Sequence, residues 1–168
     1  ELPEPLRLCF EASEERSASG RFRVRWGDGF LARSLARLAR LPRSGEAIEV
    51  ELTVSPDALG ETWCRRFGHD RLVTRQWEDH GLLAERVGSL ELRFRLVVSE
   101  RRLLFRQEGG AGLRVAGARI PIPRWLSPRV TACAWEQGRT HVSVEVRCPG
   151  VGLLCHYEGS LERREAIR

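Results

Sequence analysis

The chain contains no lysine, asparagine or methionine, and Tyr157 is its one tyrosine. All 28 basic residues are therefore arginine, set against 23 acids for a net charge of +5. The depleted residues share A/T-rich codons, so a GC-rich genome accounts for the bias. Arginine here stands where lysine would, and its abundance is no argument for phosphate chemistry. The charge is modest and the arginines alternate with glutamates instead of forming one stripe, so nucleic acid is not an expected partner. No apolar run approaches the roughly 20 residues of a membrane helix. The acidic, proline-rich start (Glu1, Pro3, Glu4, Pro5) differs from the basic and then apolar start of a signal peptide. The missing initiator methionine leads to the expectation that the chain is processed or cut from a longer polypeptide.

Cysteines are few and odd in number: Cys9, Cys64, Cys133, Cys148 and Cys155, with no C-x-x-C pair. Secreted disulfide frameworks use even counts in shorter chains, so reduced thiols and a cytoplasmic location are expected. Cys148, Cys155 and His156 match no common zinc spacing, and no metal or cofactor is expected. What remains is 168 residues with 42% hydrophobic and 30% charged content, which excludes disorder and fits one domain with a sizeable core.

Residues 1–19 read as a loosely ordered arm with a short helical turn at Leu6 to Phe10, and 20–168 as the domain. Phe22, Val24 and Trp26 alternate with Arg21, Arg23 and Arg25, the period of a half-buried strand. Gly27-Asp28-Gly29 breaks it, and a helix is predicted over about 28–41, ended by Pro42 and Gly45. Phe30, Leu31, Leu35 and Leu38 form its apolar stripe and are expected to pack on the sheet. Arg33, Arg37 and Arg40 lie on another face, solvated or, as the alternative, resting on an anionic membrane surface. The period then becomes two. Ile48, Val50, Leu52 and Val54 alternate with glutamates placed to pair with the first strand's arginines. Further strands are predicted at 60–67, 71–78, 82–87, 89–98, 101–107, 112–119, 130–136, 139–147 and 151–161.

About ten short strands with tight turns imply a mainly β (α+β) domain, an antiparallel barrel-like sheet with one amphipathic helix after the first strand. A helix-grip fold is the alternative. It normally finishes on a long helix, whereas Val151 to Leu161 reads as strand.

Gly27-Asp28-Gly29 opening a helix superficially matches a dinucleotide fingerprint. A dinucleotide-binding strand is apolar on both faces, which this one is not. Alternation places Glu61, Trp63, Arg65 and Phe67 together. If the aromatics face inward, an acid and an arginine enter with them, as a Glu61–Arg65 structural pair or as a polar anchor for a ligand. Glu85 shares a face with Leu83 and Val87 and would complete a network near Arg65. The alternate prolines of Ile120 to Pro128 demand an extended or turning segment, expected over the barrel mouth with Arg124 and Trp125 reaching the opening. No Ser/His/Asp order or nucleophile elbow is present, and an enzyme ranks behind a binding protein.

These motifs make the chain similar to the bacterial family known as domain of unknown function 4166. The likeness rests on Gly27-Asp28-Gly29 with its helix and Leu41-Pro42, on Glu61-Thr62-Trp63 with Arg66-Phe67-Gly68, and on Glu85-Arg86 with Gly88. It continues through Pro121-Ile122-Pro123-Arg124-Trp125-Leu126 with Pro128, and Pro149 with Gly152-Leu153-Leu154, Tyr157 and Gly159. The resemblance implies no established chemistry. In some relatives a similar domain follows a saccharopine-dehydrogenase-like domain, which implies a fused or associated dehydrogenase-like partner.

The leading expectation is a binding module for a small hydrophobic or amphipathic ligand, such as an acyl chain or isoprenoid-like compound. Arg65 and Arg124 would anchor an anionic head group, with Trp63 and Trp125 as walls. Glu61 and Glu85 would orient the arginines, and Tyr157 would donate a hydrogen bond. The alternative is a non-enzymatic accessory domain with a filled core.

Overall fold

A computed structural model describes residues 15–99, 102–136 and 139–164. Among these residues twelve strands and one helix follow in the order β1 (Arg16–Trp26), α1 (Phe30–Leu38), β2 (Gly45–Asp57), β3 (Gly60–Phe67), β4 (Asp70–Asp79), β5 (Leu82–Val87), β6 (Leu90–Ser99), β7 (Arg102–Gln107), β8 (Gly112–Val115), β9 (Ala118–Pro121), β10 (Arg129–Glu136), β11 (Thr140–Cys148) and β12 (Gly152–Arg164).

Ten of the strands close an antiparallel barrel. Each pairs with its neighbour in sequence from β1 to β7, then β7 with β10, β10 with β11, β11 with β12, and β12 back to β1. The β8–β9 hairpin is an excursion attached to the start of β6, with Leu90 opposite Leu113. Closure leaves no free edge in the ring, which is how an all-antiparallel sheet of this size avoids pairing with other chains. The tight turns follow from residues that tolerate positive φ: His80 at 52° and Gly81 at 78° join β4 to β5.

Two expected boundaries change. β1 begins at Arg16, so residues 16–19 of the expected arm are paired in the sheet with both β2 and β12. The rest of that arm, including the helical turn at Leu6 to Phe10 and Cys9, lies outside the described residues. The single strand expected at 112–119 is two strands, because Ala116 and Gly117 both take positive φ and turn the chain.

Alternation decides what the barrel encloses. Phe22 and Val24 of β1, Val50, Leu52 and Val54 of β2, Trp63 and Phe67 of β3, Leu72 of β4 and Cys155, Tyr157 and Leu161 of β12 form the main cluster. Leu92 and Phe94 of β6 form a second with Ala111. Each buried large apolar side chain contributes roughly 1.5–3 kcal/mol relative to exposure. Of the expected match between β1 arginines and Glu49 and Glu51 of β2, Arg21 stands opposite Glu49 in the register, whereas Glu51 ion-pairs with Arg66 of β3 and Arg23 reaches Glu46 at 2.5 Å.

The helix is turned the other way from expectation. Its buried residues are Ala32 and Ala36, while Phe30 is 85% and Leu38 81% exposed. The cause is close approach. α1 lies against β12, and a Cβ on Gly27 would sit 2.0 Å from the Leu153 carbonyl oxygen and 3.1 Å from Ala32. Small residues occupy that seat, so Phe30, Leu31 and Leu38 face away, while Leu35 of the expected stripe is half-buried. The helix ends earlier than expected. Leu41 N–H donates to Ala36 O and Arg40 N–H to Arg37 O, each at 3.0 Å, with Arg40 at φ 53°. This left-handed cap stops the helix before Pro42 is reached.

Among the described residues no helix is long and apolar enough to cross a membrane.

Candidate functional site

Polar side chains from three neighbouring strands meet inside the barrel. β3 alternates so that Glu61, Trp63, Arg65 and Phe67 point inward, as the sequence indicated if the aromatics were core. Gln76 of β4 stands opposite Glu61 on one side and Glu85 of β5 on the other, so the three lie at one level. Thr74 stands opposite Trp63.

Two compensated charge pairs result. Glu61 is ion-paired with Arg16 and accepts a hydrogen bond from Trp63 Nε1 at 3.0 Å. Arg65 Nη1 donates to Thr74 Oγ1 at 3.0 Å, its Nη2 lies 3.8 Å from Glu85 Oε1, and its guanidinium rests over the Trp63 ring at 5.1 Å. The expected Glu61–Arg65 pair is thus not formed, and each finds another partner. Pairing is what permits the burial, since an uncompensated interior charge costs several kcal/mol.

Gln76 completes the cluster. Its Nε2 donates to Glu85 Oε1 at 3.1 Å, and its Oε1 is buried with no hydrogen-bond partner. Beside it lies an interior cavity of about 110 Å³. Arg65, Gln76, Glu85 and Tyr157 form its polar side, and Phe94, Phe105, Ala132, Ala134 and Val142 stand on its apolar side. Tyr157 packs edge-on to Phe67, with centroids 5.3 Å apart. Burial pushes its phenol up to about 12, with nearby Arg65 pulling the other way. Burial also pushes the Cys155 thiol to about 12 and raises that of Cys133, so neither offers a thiolate near neutrality.

The remaining candidates fall elsewhere. Trp125 is 74% exposed, and Arg124 lines an outer groove with Gln107, Ser127 and Arg129. The proline segment is pinned by Ser127, whose Oγ accepts from Ala111 N–H at 2.7 Å, and by Gln107, whose Nε2 donates to Pro128 O at 3.0 Å. Cys155 packs in the core, whereas His156 meets Ser143 Oγ at 3.1 Å and Arg25 at 3.3 Å. The described residues contain no cluster of three metal-ligating side chains.

Three partners were not anticipated from sequence: Gln76, Arg16 and Glu91. Glu91 is almost wholly buried, and Arg114 Nε donates to it at 2.8 Å while Arg119 Nε lies at 3.0 Å. Both arginines come from the β8–β9 hairpin, so this carboxylate clamps the hairpin to the barrel. Arg114 and Arg119 face each other across that hairpin, but 23 residues separate Glu91 from Arg114 and no local pattern joins them.

Residues 2–161, nearly the whole chain, match the family described as "Domain of unknown function (DUF4166)". No curated protein and no solved structure matches the chain.

Proposed function

Because the chain belongs to the DUF4166 family, whose name assigns no activity, we propose from its geometry that the barrel is a binding module for a small, neutral, hydroxyl-bearing apolar molecule. The observation that carries this reading is Gln76, which lines the cavity and whose buried Oε1 has no hydrogen-bond partner. A buried acceptor without a donor costs about 1–3 kcal/mol, and a ligand hydroxyl placed there would recover it.

Charge argues for neutrality. Arg65 is balanced by Glu85 and Glu61 by Arg16, so an anionic head group would bring an uncompensated charge into a balanced interior. Arg124 stands outside and adds no anchor there. Size argues for a compact ligand. About 110 Å³ is near the cavity of about 150 Å³ that accommodates benzene and below the roughly 300–1,000 Å³ of ordinary ligand pockets. A whole acyl chain or isoprenoid does not fit without displacing side chains.

The same volume favours a second reading, an accessory domain whose core is essentially filled. Native mass spectrometry of gently purified protein separates the two. The binding reading expects a small neutral adduct that is lost on collisional activation. Consistently empty protein that no small neutral hydroxy compound stabilises against heat leaves the filled core.

A further inference from the structure

One end of the barrel gathers features that the interior does not use. The β1–β2 connection with α1, the β11–β12 turn and the 108–128 excursion all lie there, because β1, β7 and β11 end and β2, β10 and β12 begin at that rim. Phe30, Leu31 and Leu38 project from the outer side of α1, the last at 81% exposure. Trp125 and Leu126 are exposed from the proline segment, whose Leu126 carbonyl lies 4.0 Å from Cys148 Sγ at the end of β11.

Arginine accompanies this apolar surface. Between α1 and the rim runs an open cleft of about 1,260 Å³, lined by Arg25, Arg33, Arg37, Arg40, Arg43 and Arg71. Its acids are Asp28, Glu46 and Asp70. Glu46 is paired with Arg23, and Asp70 accepts from Arg43 N–H at 2.8 Å. Arg33, Arg37 and Arg40 form no ion pair among the described residues, and Arg37 lies over the Trp26 ring at 5.9 Å. The cleft therefore carries a surplus of guanidinium groups next to an apolar helix face.

We propose that this end is a docking face for an anionic phospholipid bilayer, with Phe30, Leu31, Leu38 and Trp125 entering the headgroup boundary and the arginines meeting lipid phosphates. An apolar helical face edged by arginine is the arrangement that interfacial helices use, and planar guanidinium suits phosphate bidentately. Charge complementarity selects this occupant over a second copy of the chain. A twofold contact through the face would set the arginine cluster against itself, at a like-charge cost. Nucleic acid would satisfy the arginines and leave the apolar face in water. This inference is independent of the interior cavity, since none of the four apolar residues lines it.

The test is co-sedimentation of the whole chain with vesicles of phosphatidylcholine, or of phosphatidylcholine with 30 mol% phosphatidylglycerol (a composition of about physiological anionic content), at low salt. Binding is expected to the anionic vesicles and not to the zwitterionic ones, and should weaken steeply at high salt because surface charges are then screened. Arg33→Glu with Arg37→Glu and Arg40→Glu should lower partitioning on the order of 100-fold or more. Phe30→Ser with Leu38→Ser should lower it by about tenfold or more. Thermal melting of both variants should match that of the parent, since the residues are exposed. Trp125 emission should shift to the blue on binding, and Trp125→Phe should remove that shift. Failure of the parent chain to sediment with anionic vesicles, full binding by the arginine variant, or concentration-dependent dimers in light scattering without vesicle binding would each overturn the proposal.

Discussion

Gln76 donates its amide N–H to Glu85 at 3.1 Å across the β4–β5 pair, and in doing so turns its carbonyl oxygen to a buried position without a donor. Arg65 approaches the same carboxylate from β3 at 3.8 Å. Glu85 is thus held from two strands, and the interior charge balance depends on Arg65. Arg65→Met should cost about 1–3 kcal/mol in urea unfolding, because it strands a partly buried carboxylate. Adding Glu85→Gln should recover more than half of that loss. A single-variant cost under about 1 kcal/mol, typical of exposed ion pairs, would show that the pair is solvated and not part of the core.

Glu91 anchors Arg114 and Arg119 of the β8–β9 hairpin. Glu91→Gln removes the charge but keeps the shape, and the arginines can still reach water. A loss of about 1–3 kcal/mol is expected. Amide exchange should accelerate over residues 112–121 while β1 to β4 stay protected. Uniform acceleration across the barrel would contradict a local clamp.

Alkaline pH should destabilise the fold through Tyr157 and Cys155. Both have folded pKa values of about 12, raised by burial from ordinary values of 10.0 and 9.0. The folded state therefore holds more protons than the unfolded one. The associated stability is complete below about pH 9 and falls between pH 9 and 12, by up to about 1.4 kcal/mol per pH unit for each group. Tyr157 is the one tyrosine, so absorbance near 295 nm (the tyrosinate band, about 10 in free-residue pKa) reports it alone. Tyrosinate should be absent at pH 10.5 in folded protein and present at that pH in urea. Equal titration in both would refute the buried phenol.

The β3 face was legible because alternation is a backbone property: Glu61, Trp63, Arg65 and Phe67 share one side whatever surrounds them. The partners were not, because cross-strand register joins residues distant in sequence. Gln76 meets Glu61 and Glu85 only once β3, β4 and β5 are aligned. The helix shows where hydrophobic periodicity misleads. Its large apolar stripe suggested burial, but the seat beside Gly27 is taken by Ala32 and Ala36. Glu91 occupies an outward strand position that would ordinarily be solvated, and it is buried because a hairpin folds back over it. The Ala116–Gly117 turn carries a weak sequence signal because its first position holds neither Asn, Asp nor Gly.

The helix seat has its own test. Gly27→Ala would place a Cβ 2.0 Å from the Leu153 carbonyl oxygen, whereas a Cβ at Gly29 meets nothing within 4 Å and its φ of −71° suits any residue. Gly27→Ala should cost about 1–3 kcal/mol through overpacking. Gly29→Ala should stay within about 0.5 kcal/mol of the parent. Similar melting of the two variants would mean that Gly27 does not approach β12 this closely.

Calorimetric titration with phenol distinguishes a cavity at Gln76 that receives a small neutral hydroxyl compound from a filled core. The parent chain should bind one phenol saturably. Ala132→Leu, which fills the cavity from β10, should abolish binding while melting within a few degrees of the parent. Gln76→Met should weaken binding about tenfold, the loss of one hydrogen bond. No saturable heat with the parent chain, or undiminished binding by Ala132→Leu, would mean that the cavity does not receive such a ligand.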